Sequence, residues 1–133
     1  MSSIFSKIIA GEIPCYKIAE TDKYLAFLDV NPLKRGHTLC IPKVEVDNLF
    51  DLDEETYTGL MQFSRRVAKA IQKTLPYKRV GVVVAGFEVP HAHVHLIPVN
   101  NMKEMDFNNP KVEMVKEEYA AIAMAIEATY NGV

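Results

Sequence analysis

The sequence predicts one α+β domain, five strands in an antiparallel sheet with helices inserted between and after them. Three observations carry that prediction. Short runs rich in β-branched and aromatic residues recur between Gly, Pro and Asp turn signals. Two long stretches repeat apolar residues at helical spacing. No repeat, low-complexity segment or linker divides the 133 residues. A chain of this length buries a core without disulfides or a structural metal. The domain is expected over 1–133, with its core at about 3–99 and a C-terminal helix over about 110–131.

In chain order, Ile4 to Ala10 reads as a short helical turn ended by Gly11, with Phe5 and Ile8 on one side. Tyr16 to Ala19 and Tyr24 to Leu28 read as a strand hairpin closed by Glu20-Thr21-Asp22-Lys23. Asp29 to Gly36 is an irregular loop broken by Pro32 and Gly36. His37 opens a third strand, Thr38 to Pro42. Asp51 with Glu54 resembles a capping box. Behind it Leu60, Met61, Val67, Ala68, Ile71 and Leu75 mark a helix over about 52–75, stopped by Pro76. Arg79 to Ala85 and His91 to Pro98 are two further strands, giving a five-stranded meander. The polar stretch Asn100 to Asn109 leads to a last helix, with Asn109 as cap and Pro110 at the first helical position.

Composition narrows the function classes. The chain is 49% hydrophobic and 24% charged, with a formal net charge of −2, so nothing predicts capture of nucleic acid or an anionic membrane. No signal peptide or transmembrane helix fits, and a cytoplasmic location is expected. Cys15 and Cys40 have no metal-binding or redox spacing.

The chemistry concentrates in Pro90-His91-Ala92-His93-Val94-His95-Leu96-Ile97-Pro98. Three of the chain's four histidines stand here at every second position. On a strand they share one face, about 6–7 Å apart, with Ala92, Val94 and Leu96 turned to the core. A lone histidine in a strand is ordinarily a satisfied polar residue. Three titratable rings stacked together incur desolvation and mutual repulsion, so chance explains them poorly. Two chemistries fit. In one, the histidines bind a metal, with His37 as a third ligand from another strand and Glu88 nearby. In the other, a neutral imidazole attacks phosphorus, and neighbouring rings and backbone amides stabilise the added negative charge.

Four segments in register carry a resemblance. Ser3 to Pro14, Leu25-Ala26-Phe27-Leu28-Asp29-Val30-Asn31-Pro32, Gly36-His37-Thr38-Leu39-Cys40-Ile41-Pro42-Lys43 and the closing His-x-His-x-His run together resemble the histidine-triad (HIT) family, in its Hint-like bacterial branch. The resemblance implies the HIT-like fold, and homodimers whose two sheets join into one larger sheet. It implies hydrolysis or transfer of a nucleoside monophosphate through a covalent nucleotidyl-histidine, with no cofactor and no metal. His93 would be the nucleophile, His91 would orient it, His95 would support the phosphate site and His37 would hydrogen-bond within the set. Asp29 would accept from the ribose hydroxyls. Phe5, Ile8, Phe27 and Val30 would line the base pocket, and Glu88 and Val89 would complete the nucleotide site. A purine nucleotide or nucleoside monophosphate conjugate is the expected partner.

The pattern departs from the family in three places. Many bacterial members carry Cys-x-x-Cys at the start and a histidine after Ile-Pro-Lys, and bind a structural zinc. Ser3, Ser6 and Glu45 stand at those positions, which disfavours zinc there. The loop before the triad is shortened to 84–90, with Phe87 where Gln is common and Glu88 where Ser or Thr is common. The usual Asn of the preceding strand has no counterpart among Val82, Val83 and Val84. The expected activity is that of a nucleoside phosphoramidase. A dinucleoside polyphosphate hydrolase or nucleotidyl transferase, and a nucleotide-binding module with little catalysis, are the alternatives.

Overall fold

A six-residue helix, α1 (Ile4–Ile9), opens the computed structural model, which describes residues 2–132. Met1 and Val133, the ends of the domain expected over 1–133, lie outside the described residues. Ser3 caps α1 by accepting the Ser6 amide at 3.0 Å, and Gly11, at φ +81°, supplies the left-handed turn behind it. The strands are β1 (Lys17–Glu20), β2 (Tyr24–Leu28), β3 (Thr38–Pro42), β4 (Arg79–Val83) and β5 (Val94–Val99). All neighbours pair antiparallel, in the order β1-β2-β3-β5-β4. The expected simple meander is therefore corrected. Helix α2 (Glu54–Thr74) carries the chain past a vacant rung to the sheet edge, and β5 returns into the gap between β3 and β4.

Helix α2 begins two residues later than expected, because Asp53, not Asp51, is its cap. The Asp53 side chain accepts the Thr56 amide at 2.7 Å, while Asp51 ends a 3-10 turn (Leu49–Asp51) capped by Asn48. Leu60, Phe63, Val67 and Ile71 form its buried stripe. A Cβ at Gly59 would fall on the Tyr24 hydroxyl, which donates to the Thr56 carbonyl at 3.1 Å.

The last helix, α3 (Lys116–Gly132), starts six residues after Pro110, correcting the expected Asn109 cap. The intervening backbone is used elsewhere. The Val112 amide donates to the Pro32 carbonyl at 2.8 Å, and the Asn109 side-chain amide donates to the Lys103 carbonyl at 2.8 Å. A segment so tied cannot supply the first turn of a helix.

The sheet has one helix-covered face and one open face. Helices α2 and α3 cover Ile18, Ala26, Leu28, Cys40, Val94 and Leu96. On the other face, α1 covers one end through Phe5, packed with Leu25, Phe27, Leu39 and Ile41. Leu33, Ile97 and Val99 form a second cluster at the far end, with Met105 and Phe107 against it. The histidines lie between these two clusters. Among the described residues no helix is long and apolar enough to cross a membrane.

Candidate active site

The β2–β3 loop folds back on itself around His37. Asp29 Oδ1 accepts the Asn31 amide at 2.8 Å, and the Asp29 amide donates to the His37 carbonyl at 2.9 Å. This brings the Leu33 amide to 3.0 Å from His37 Nδ1. A backbone N–H only donates, so His37 Nδ1 is an acceptor and the ring proton sits on Nε2. His37 Nε2 is 2.9 Å from His95 Nδ1, and therefore donates to it. His95 in turn carries its proton on Nε2. One backbone amide thus sets the tautomers of two rings. Asp29 Oδ2, 3.5 Å from His37 Nε2, lies beside the same bond.

Both rings are buried, which pushes their pKa values down to about 4. Burial is the main cause for each; the Lys111 charge adds to it at His37, and His37 itself at His95. Both are neutral near pH 7, as the hydrogen-bond chain requires.

His91 and His93 do not belong to a strand, contrary to the expected strand from His91. β5 begins at Val94 because the backbone before it bonds elsewhere: the His91 amide donates to Val89 O at 2.8 Å and the Ala92 amide to Val46 O at 2.7 Å. Side chains still alternate, with Ala92, Val94 and Leu96 in the helix-side core. His93 Nδ1 donates to the His91 carbonyl at 2.7 Å, which leaves Nε2 with its lone pair. Phe5 sets its ring edge-on to His93 at 5.0 Å and to His91 at 5.8 Å, and His93 meets His95 at 5.0 Å between ring centres.

Two clefts border His93. One, of about 250 Å³, is lined by Val83, Glu88, His95 and Phe107 among others. The second, of about 380 Å³, runs along Asp47, Phe50 and Phe87. Among the described residues no buried side-chain nitrogen or oxygen lacks a partner. Among these residues His93 Nε2 and His95 Nε2 make no hydrogen bond, so both open to the clefts.

The remaining expected residues divide. Phe5, Ile8, Phe27 and Val89 pack in one cluster beside the histidines, and Glu88 lies exposed at a cleft wall. Val30 stands apart, 64% exposed, its carbonyl accepting the Tyr119 hydroxyl at 3.3 Å. Phe107 escaped the sequence reading. It packs edge-on against His95 at 5.0 Å and His37 at 6.2 Å, and its one signal was an aromatic ring in an otherwise polar stretch. The Leu33 amide gave no signal at all, since a backbone donor leaves no mark on residue type.

Ser3, Ser6 and Glu45 converge, and His91 is their meeting point. Ser3 Oγ lies 2.8 Å and Ser6 Oγ 3.5 Å from His91 Nδ1, and Glu45 Oε1 accepts from Ser6 Oγ at 2.6 Å. The donor set is two hydroxyls, a carboxylate and one imidazole, already hydrogen-bonded to one another, and it does not fit a structural zinc.

Comparison with known proteins gives the following. The HIT domain profile matches residues 10–102. The adenosine 5'-monophosphoramidase of Schizosaccharomyces pombe is 40% identical over 103 residues, covering 76% of this chain and 77% of that protein. A histidine triad nucleotide-binding protein from Sulfolobus tokodaii superposes with a TM-score of 0.85 at 29% identity, over 96% of this chain and 91% of that one. A Zn-bound histidine triad family protein from Mycobacterium smegmatis gives 0.82 at 27% identity, over 98% and 94%.

Proposed function

The chain belongs to the HIT domain family, and on that premise we propose that it hydrolyses nucleoside phosphoramidates, or related nucleoside monophosphate conjugates, through a nucleotidyl-histidine at His93. One observation carries the reading: His93 is held through Nδ1 by the His91 carbonyl at 2.7 Å, with Nε2 free on the cleft. The activity named for the Schizosaccharomyces pombe relative supports it. Nε2 attacks the phosphorus, a P–N bond forms to His93, and the bond to the leaving amine breaks as that nitrogen takes a proton from water. A second water then attacks phosphorus and the P–N bond to His93 breaks, releasing the monophosphate and the neutral imidazole; the proton lost by this water neutralises the hydroxide left by the first. His95 Nε2–H points its proton at the phosphoryl oxygens. It is a hydrogen-bond donor and not an acid, because His37 already fills its Nδ1 and loss of the Nε2 proton would leave an imidazolate.

In this reading Asp29 accepts from the ribose, and Phe5, Ile8 and Phe27 form the base side of a purine site, with Val30 exposed outside their cluster. Glu88 and Val89 stand toward the phosphate. No metal enters. Asp29, His37 and His95 place three candidate ligand atoms within 4.8 Å of one another. However, His37 Nε2 carries the proton that the Leu33 amide forces onto it, and a protonated nitrogen has no lone pair to give a metal. A cytoplasmic homodimer belongs to the same proposal. The outer edge of β4 has no neighbour among the described strands, with Val82 54% exposed beside an apolar groove against α2.

The test is hydrolysis of an adenosine phosphoramidate with a chelator present. Turnover is expected to survive chelation and to fall at least ~10³-fold in His93→Ala. Monophosphate binding should stay within a few-fold. Native-rate hydrolysis by His93→Ala would sink the assignment.

A further inference from the structure

We infer that Ser3 and Glu45 are positioning residues for His93, acting through His91; the inference rests on the reading of His93 as nucleophile. His91 Nε2 lies 2.8 Å from the Pro42 carbonyl, which can only accept, so this nitrogen carries the ring proton. Nδ1 must then accept, and Ser3 Oγ at 2.8 Å is its donor. Ser3 Oγ has one proton and spends it on His91; its lone pairs receive the Ser6 amide at 3.0 Å. The Ser6 hydroxyl therefore donates to Glu45 Oε1, which also accepts the Ser3 amide, both at 2.6 Å. The chain of bonds begins and ends on groups with a single possible role, and every step between has one direction.

Residue 91 is thereby fixed at both ring nitrogens and at its amide. What remains is its carbonyl, and that carbonyl holds His93 Nδ1. Glu45 pins Ser3, Ser3 pins the His91 ring, and His91 aims the nucleophile. His91 is wholly buried and Ser3 nearly so. Without the Ser3 hydroxyl, Nδ1 is left with only Ser6 Oγ at 3.5 Å, whose proton is already committed to Glu45, which favours a rotated or re-protonated ring. The His91 carbonyl moves with it. Glu45 itself is exposed, and its carboxyl is held below the usual range chiefly by the Ser3 amide and then the Ser6 hydroxyl.

The experiment compares Ser3→Ala and Glu45→Ala with Ser3→Thr and Glu45→Gln, which keep the hydroxyl and an acceptor oxygen. Long-range 1H–15N spectra report the histidine tautomers, alongside kcat for an adenosine phosphoramidate, Kd for adenosine monophosphate and the melting temperature. Wild type is expected to show His91 protonated on Nε2 and His93 on Nδ1. Each Ala variant should lose the single His93 tautomer and drop kcat roughly 10-fold with Kd little changed. The Thr and Gln variants should recover most of it. A single, unchanged His93 tautomer and an unchanged kcat in both Ala variants would overturn the inference. So would a kcat loss in the Ala variants that the Thr and Gln variants do not restore. If wild type shows no turnover while the tautomers respond as described, the catalytic reading fails and the positioning of His93 stands.

Discussion

At the scale of single residues, the site depends on which ring nitrogen carries a proton. His37 and His95 are neutral because burial holds their pKa values at about 4, against 6.5 unperturbed. Folded pKa values below the unfolded ones mean that the unfolded chain binds more protons in that window. Stability is therefore full above about pH 6.5 and is lost as pH falls from there toward about 4. The loss is about 3 kcal/mol per ring when both shifts are fully expressed. The melting temperature should fall steadily across that window, and His37→Gln should flatten the fall. An equally steep fall in the variant would show that other groups dominate. The same substitution removes the partner that fixes His95, and kcat should drop roughly 10-fold with little change in monophosphate affinity. Steady-state kinetics with calorimetry on the same samples decides it.

At the scale of elements, the chain's periodicity predicted more than its punctuation did. The alternation of Ala92, Val94 and Leu96 against the histidines gave the right faces, and the stripe of Leu60, Val67 and Ile71 gave α2 almost to its ends. Burial reads directly from residue type at fixed spacing, so these were legible. Boundaries were not, because they depend on where single backbone amides bond. Asp51 and Asp53 offer equivalent acids two residues apart, and only the 3-10 turn at Leu49–Asp51 decides between them. Pro110 looked like a helix start, but the Val112 amide is spent on Pro32. Of the site, the four histidines were legible; the Leu33 amide and Phe107 were not. The cap assignment makes a prediction: Asp53→Ala should destabilise the fold by about 1 kcal/mol and Asp51→Ala by less than about 0.5. Urea unfolding of the two variants checks it, and a larger loss at residue 51 would refute it.

At the scale of the whole molecule, the sheet is closed on one face by helices and still open at the β4 edge. Pairing of two such edges about a two-fold axis would bury Val82 and the groove that it shares with Met61 and Ala68 of α2. Val82→Glu should then shift the protein toward monomer, measured by sedimentation at several concentrations. A wild type that sediments as a monomer at every concentration removes the dimer from the proposal.

The placement of β5 has a consequence for how the molecule comes into being. A strand that fills the rung between β3 and β4 supplies the sheet pairing that ties β4 to the first three strands. Thr38 faces Leu96 across that seam, with the whole of α2 lying between them along the chain. Contacts so distant in sequence close late and slowly. The first three strands and α2 can collapse early, yet the pairing of His37 with His95 waits for the final strand to slot home. A chain in which β5 has not yet docked therefore lacks the His37–His95 pair, whatever the state of its other elements.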